Sequence, residues 1–271
     1  MKRFLTIAAM TVLMASCSQE KAPKTLVLYY SQTGNTEVVA KALQNSMACD
    51  IEAVVPAVPY DGDFQATIER SRKEMDEGKF PEIQPLASVI KSYDIIFLGF
   101  PVWFGTYAPP IETVLKSADF SGKKIVPFCT FGSGGLETSV EAIKAKLPAS
   151  EILPGYGVRA ARLDAVPAEI DRFLKENKFI EGEIAPLEEF SAQAPVTEEE
   201  SAIFDAAVGD YPMMHAKAEE VCSRNVPGGK EYFFTAKDTS RFGDEEPVEK
   251  IIKVYVLVEE GKAPVFTKVV R

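Results

Sequence analysis

Leu26-Val27-Leu28-Tyr29-Tyr30-Ser31-Gln32-Thr33-Gly34-Asn35-Thr36 passes from five apolar or aromatic residues into hydroxyls, amides and a glycine, and then into helix formers. No charged residue interrupts residues 26–30, so neither face of that segment suits water. A strand buried on both faces belongs to a parallel sheet covered by helices on each side. Residues 35–46 follow with apolar Val38, Val39, Ala42 and Leu43 at helical spacing. Strand, polar turn and helix in this order begin an alternating α/β chain.

The alternation continues outward. Buried strands are expected at 51–55, 95–100, 125–128 and 151–156, and helices at 66–77, 111–118, 136–147 and 168–177. Five strands with intervening helices predict a doubly wound α/β fold on a five-stranded parallel sheet. Ligands of such sheets bind beyond the carboxyl ends of the strands. Residues 24–180 form this domain. Composition then shifts: 181–196 is rich in Pro, Ala and Glu and is expected as a linker. Residues 197–271 read as a second, small α+β domain. In it, 197–224 is largely helical in pattern with a break near 209–212, and strands are expected at 232–236, 251–258 and 265–270.

Composition narrows the function. The 271 residues are 46% hydrophobic and 26% charged, close to an ordinary soluble globular chain. Forty acidic against 30 basic residues give a net charge of -10, which argues against nucleic acid as a partner. The one histidine, His215, rules out a multi-histidine metal centre, and no metal site is expected. Cys49, Cys129 and Cys222 are widely spaced, form no CxxC pair, and read as small buried hydrophobes.

The first residues read as a targeting signal. Lys2 and Arg3 precede an apolar run over 4–13, and the small Ala15 and Ser16 precede Cys17. Leu13-Met14-Ala15-Ser16-Cys17 resembles a bacterial lipobox, whose cysteine is lipidated and becomes the new N-terminus. That resemblance implies a signal peptide over 1–16, a tether over 17–23, and a protein anchored by lipid to the membrane of the bacterial cell envelope. The plain alternative is an ordinary signal peptide with Cys17 incidental. Loss of Lys2 and Arg3 takes the net charge from -10 to -12.

Three strand-end loops carry the chemistry. In the first, Ser31, Thr33 and Thr36 supply hydroxyls, and the helix that follows supplies unpaired N–H groups, together a cradle for a phosphate. It has no lysine of the GxxxxGK[ST] kind, so a monophosphate suits it better than a triphosphate. Helix capping in a protein that binds nothing would use the same residues. The second, Pro101-Val102-Trp103-Phe104-Gly105-Thr106-Tyr107, holds the chain's only tryptophan and offers a stacking platform, or else ordinary packing. The third, Thr130-Phe131-Gly132-Ser133-Gly134-Gly135, can bring backbone amides close to a flat ligand edge.

The wording LVLYYSQTGNT, DIIFLGFPVWFGT and GKKIVPFCTFGSGG resembles the flavodoxin-like family, in its short-chain form, over about residues 24–180. The resemblance implies FMN as cofactor. Carried across by position, Ser31, Gln32, Thr33, Gly34, Asn35 and Thr36 hold its phosphate. Pro101, Val102, Trp103, Phe104 and Gly105 border the isoalloxazine ring, and Thr130, Phe131, Gly132, Ser133 and Gly134 meet its far edge. Tyr60 is a candidate second aromatic wall. The envelope-type leader departs from the many flavodoxins that are cytoplasmic.

Arg224-Asn225-Val226-Pro227-Gly228 before Glu231-Tyr232 resembles a degenerate cystatin-type pattern, the alternative being a generic α+β accessory domain. Two functions of different class follow. One is an FMN-dependent electron carrier or oxidoreductase of the envelope. The other is a non-enzymatic binding module, acting on a partner or a protease through the C-terminal domain. Lipidation has a direct check: Cys17→Ala moves the protein from the membrane fraction to the soluble fraction of disrupted cells. Unchanged membrane association counts against it.

Overall fold

Leu26, Val27 and Leu28 are completely buried, and successive side chains of a strand point to opposite faces. Both faces of this strand are therefore dry, and its two sets of side chains enter different cores. The computed structural model describes residues 22–60, 63–209, 211, 214–240 and 249–271, so Cys17 and the leader lie outside the described residues. The first elements are β1 (Thr25–Tyr29), α1 (Asn35–Ser46), β2 (Asp50–Ala53), α2 (Phe64–Glu77), β3 (Ile95–Trp103) and β4 (Thr106–Tyr107). They are followed by α3 (Pro109–Ser117), β5 (Lys124–Phe131), α4 (Leu136–Lys146), β6 (Glu151–Ile152), β7 (Tyr156–Arg159) and α5 (Val166–Glu176).

The parallel sheet runs β2-β1-β3-β5-β6, with β7 also paired to β5 and β4 folded back on β3. Val27 and Tyr29 pack with Val39, Ala40 and Leu43 of α1 and Ile170, Phe173 and Leu174 of α5. Leu26 and Leu28 pack on the opposite side with Ile111, Val114 and Leu115 of α3 and Ile143 of α4. This is the doubly wound α/β arrangement, and each buried aliphatic or phenyl group contributes about 1.5–3 kcal/mol. The fifth strand is not the single segment expected at 151–156. Pro154 has no N–H to continue the ladder, so the chain leaves the sheet after Ile152 and rejoins it at Tyr156. The rejoined strand reaches Arg159, beside Phe131 at the carboxyl edge.

The C-terminal unit comprises β8 (Ala194–Pro195), α6 (Glu198–Val208), β9 (Ala216–Val226), β10 (Gly229–Asp238), β11 (Lys250–Glu259) and β12 (Val265–Val270). Its antiparallel sheet has the order β12-β11-β10-β9-β8. Thr197 starts α6 with a reciprocal capping box to Glu200. Phe204, Ala207 and Val208 of that helix pack with Phe234, Val254 and Phe266 of the sheet. The helical reading of 197–224 needs correction, because helix ends at Val208 and residues 216–226 are β9. Opposite β10, Glu220 pairs with Thr235 and Ala218 with Ala236, so Glu219 is an inserted bulge residue. The bulge lets Ala218 and Val221 both be buried at a spacing of three, which imitates helical periodicity.

One buried carboxylate ties the helices of one layer together. Glu112 of α3 accepts from Tyr107 Oη at 2.6 Å and from Lys146 Nζ of α4 at 2.5 Å, and lies 3.2 Å from Lys116 Nζ. Burial pushes its carboxyl up, but the hydrogen bonds from Lys146, Tyr107 and Lys116 outweigh burial and hold it below the usual carboxylate range. A carboxyl depressed in the folded state stabilises above its unfolded value and ceases to as pH falls through the folded one. Glu112→Gln is therefore expected to lower stability at pH 7 by about 1.5–3 kcal/mol, the range for hydrogen bonds to a charged group. Urea midpoints should show the gap between parent and variant closing as pH falls below about 4.3.

Candidate functional site

The ends of β1, β3 and β5 deliver their loops to one edge of the sheet, because the three strands are adjacent and parallel. The first loop enters α1 through Gly34, whose φ of 89° is left-handed backbone that glycine adopts without strain. Gly34, at the N-cap, has no side chain to cap the helix. Part of the capping alternative therefore holds, since Ser31 takes one first-turn N–H of the helix. Ser31 Oγ accepts from Glu37 N at 3.3 Å, and Thr33 is exposed at the loop surface. Gln32 turns aside, accepting from Tyr30 Oη at 2.6 Å and donating to Tyr60 O at 3.5 Å. Thr36 is buried, and its hydroxyl lies 2.9 Å from that of Thr130, which joins the first loop to the third.

The second loop is a tight hairpin. Phe104 and Gly105 have φ of 50° and 80°, the paired positive values of a type I′ turn, and Val102 and Trp103 face Tyr107 and Thr106. A phenylalanine in that conformation is uncommon, so the turn is set by the hairpin and not by local preference. Phe104 is exposed, with the Arg72 guanidinium 4.9 Å from its ring. Trp103 is half-buried and meets the rings of Tyr60 at 5.1 Å and Tyr30 at 5.9 Å, both edge-on. Tyr60 therefore braces Trp103 from the side. It is itself held by a 2.5 Å bond to Glu74 Oε2 and by Arg70, 4.0 Å from its ring. Burial first, then the Glu74 carboxylate, push its hydroxyl well above the ordinary tyrosine range. Thr106 Oγ1, cross-strand from Trp103, is buried and has no partner among the described residues.

The third loop enters α4 through Gly135, again left-handed and again without a side-chain cap. A Cβ on Gly135 would stand 2.6 Å from Val102 Cγ1 and 3.3 Å from Gly105 O, so the second and third loops touch there. The starts of α1 and α4 thus face the same edge, each a concentration of N–H donors and partial positive charge, with Ser31 taking one N–H of α1. None of the residues 31–36, 101–106 or 130–135 is ionisable. These residues can bind through neutral dipoles and an aromatic wall, and the ionisable groups stand behind them, at Tyr30, Tyr60, Arg70, Glu74 and Tyr107.

Residues 24–173 match the flavodoxin family. This chain belongs to that family. Among solved structures, a protein from Bacteroides eggerthii assigned as a flavoprotein is 28% identical, with a TM-score of 0.51 over 58% of this chain and 98% of that one. Another from Bacteroides uniformis, also assigned as a flavoprotein, is 30% identical, with a TM-score of 0.50 over 56% and 99%. A flavoprotein from Lactobacillus acidophilus in complex with FMN is 26% identical, with a TM-score of 0.48 over 56% and 98%. No curated protein matches the chain. The flavodoxin match contains all three loops and ends before the C-terminal unit.

Sequence reasoning quoted Tyr30, Thr106 and Gly135 but gave none of them a role at this flavodoxin edge. Tyr30 abuts the first loop and Gly135 closes the third, and adjacency to the chosen residues was the available signal. The Thr36–Thr130 link has a measurable energy. Thr36→Val or Thr130→Val alone should cost about 1–3 kcal/mol by leaving one buried hydroxyl unpaired. The double variant should cost less than the sum of the two, because neither hydroxyl is then left alone. Denaturant midpoints of the four proteins give the coupling.

Proposed function

We propose that this flavodoxin binds FMN at the three loops and serves as an electron carrier of the bacterial cell envelope. The observation that carries the reading is their convergence: Thr36 meets Thr130, Gly135 meets Val102, and Trp103 stands between them and its braces. The donor set fits a flavin mononucleotide. Hydroxyls and amides at the start of α1 suit one phosphate without a cation, Trp103 suits a planar ring, and the unpartnered Thr106 hydroxyl suits a polar ring substituent. When bound, FMN supplies the capacity to take up and release electrons.

The chain's part is then to bind, orient and exclude water. Ser31 and Thr33 hold the phosphate with the Gly34-led helix start behind them, and Tyr30 and Tyr60 keep Trp103 upright. Carrier is favoured over oxidoreductase because residues 31–36, 101–106 and 130–135 include no ionisable side chain to move a proton to or from a substrate. Envelope placement rests on the leader and the lipobox-like approach to Cys17. No described helix is long and apolar enough to cross a membrane, so a lipid at Cys17 is the proposed anchor.

Quenching of flavin fluorescence tests the cofactor. The parent should bind FMN far more tightly than riboflavin, which lacks the phosphate. Ser31→Ala with Thr33→Ala should weaken FMN by about 10–100-fold, as expected for lost hydrogen bonds to a charged group, and leave riboflavin unchanged. Trp103→Ala should weaken both flavins alike. Equal affinity of the parent for FMN and riboflavin overturns the assignment.

A further inference from the structure

The third loop is gripped from behind by the C-terminal unit. Arg159 is buried at the end of β7 and donates from Nε to Gly132 O at 2.8 Å and from Nη1 to Phe266 O at 2.9 Å. Its guanidinium lies 3.4 Å from the centre of the Phe266 ring and 5.6 Å from that of Tyr211. Val269 N, on β12, donates to Ser133 O at 2.6 Å. Arg271 Nη1 approaches Ser133 Oγ at 3.3 Å, and Lys268 pairs with Glu137 at 3.4 Å. The approach is close enough to dictate residue type. A Cβ on Gly132 would stand 2.8 Å from Tyr211 Oη, and one on Gly134 would stand 2.3 Å from Val269 O. Glycines read from sequence as room for a ligand are also room for the second domain.

The grip has a consequence for the loop's other side. The carbonyls of Gly132 and Ser133 are both engaged, one by Arg159 and the next by Val269. The peptide bonds of the described residues are trans, and a trans peptide points its N–H opposite to its C=O. The amides of Ser133 and Gly134 therefore point away from these partners as a consecutive pair. Among the described residues neither amide has an acceptor. Successive amides presented by a turn form a concavity that attracts negative charge.

We propose that the C-terminal unit is the backing of the flavin site. By holding the Ser133 carbonyl through Val269 N, and by seating on Phe266 the Arg159 of β7 that holds the Gly132 carbonyl, it presets the Ser133 and Gly134 amides as donors to the ring edge, where negative charge collects on reduction, and so favours reduced over oxidised FMN. The inference rests on the FMN reading above and adds to it a role for residues outside the flavodoxin match. Preset dipoles cost no reorganisation when charge arrives, whereas a free glycine loop would have to be ordered first.

Two full-length variants break the grip from opposite sides. Val269→Pro removes the N–H that reaches Ser133, at an edge strand where proline is tolerated. Gly134→Ala drives a methyl group against Val269 O. Near-ultraviolet circular dichroism identifies the variants that keep the parent fold. FMN and riboflavin are titrated into each by fluorescence quenching, and the FMN-loaded proteins are reduced stepwise with dithionite against indicator dyes. The expected result is an about tenfold loss of preference for reduced FMN, which lowers the midpoint potential by about 59 mV for one electron. Affinity for FMN and riboflavin should fall in the same proportion, since the ring and not the phosphate is affected. A folded variant with the parent's potential overturns this inference while leaving FMN binding in place. A parent chain that takes up no FMN overturns both.

Discussion

A strand with no wet face has nowhere to put polar chemistry except at its ends. In β1, Leu26 and Leu28 fill one core and Val27 the other, and Ile96, Phe97 and Leu98 of β3 repeat the pattern. Every hydroxyl, amide and glycine that the site needs is therefore displaced to the carboxyl edge. Parallel pairing then collects three such edges side by side. Two of the buried polar residues obey the same constraint: Thr36 and Thr130 sit at the edge and pair with each other. Double-sided burial thus builds the scaffold and gathers the loops in one step.

The same constraint explains which parts could be read without a structure. The continuous apolar run at 26–30 and the helix at 35–46 follow from local pattern, and α1 begins and ends where that pattern does. The fifth strand was read as one piece because its side chains suit a sheet, while the missing Pro154 N–H breaks it in two. In β9 the bulge at Glu219 gave a spacing of three that local pattern assigns to a helix. Pairing with β10, a distant constraint at that stage, overrides it. The hairpin after Trp103 was invisible for a similar reason, since Phe104 holds a positive φ that its side chain disfavours.

The candidate site was legible as three loops but not as a set of contacts. Residue type marked Ser31, Thr33 and Trp103, whereas the turn of Gln32 toward Tyr30 and Tyr60 depends on a partner 28 residues away. Arg159 carried no sequence signal at all. It is an ordinary arginine at the end of a strand, and its importance comes from Phe266, 107 residues further on, and from Gly132. A buried guanidinium is costly unless it is paired. Here two carbonyls and an aromatic face meet that requirement, although burial still pulls its pKa below the usual arginine value.

An antiparallel sheet has two edges, and an open edge is a template for unwanted pairing with other chains. In the C-terminal unit one edge is occupied by β8, two residues long and ending in Pro195, which limits further pairing. The other is β12, whose outward Val269 N–H is consumed by Ser133 O of the third loop. The loop, for its part, is rich in glycine and would be loose if left alone. Each unit supplies what the other lacks: the loop covers an edge, and the edge fixes a loop. A contact with two independent physical reasons to persist can hold the Ser133 carbonyl in one orientation, as Arg159 holds that of Gly132, and the direction of the amides behind them follows from peptide geometry.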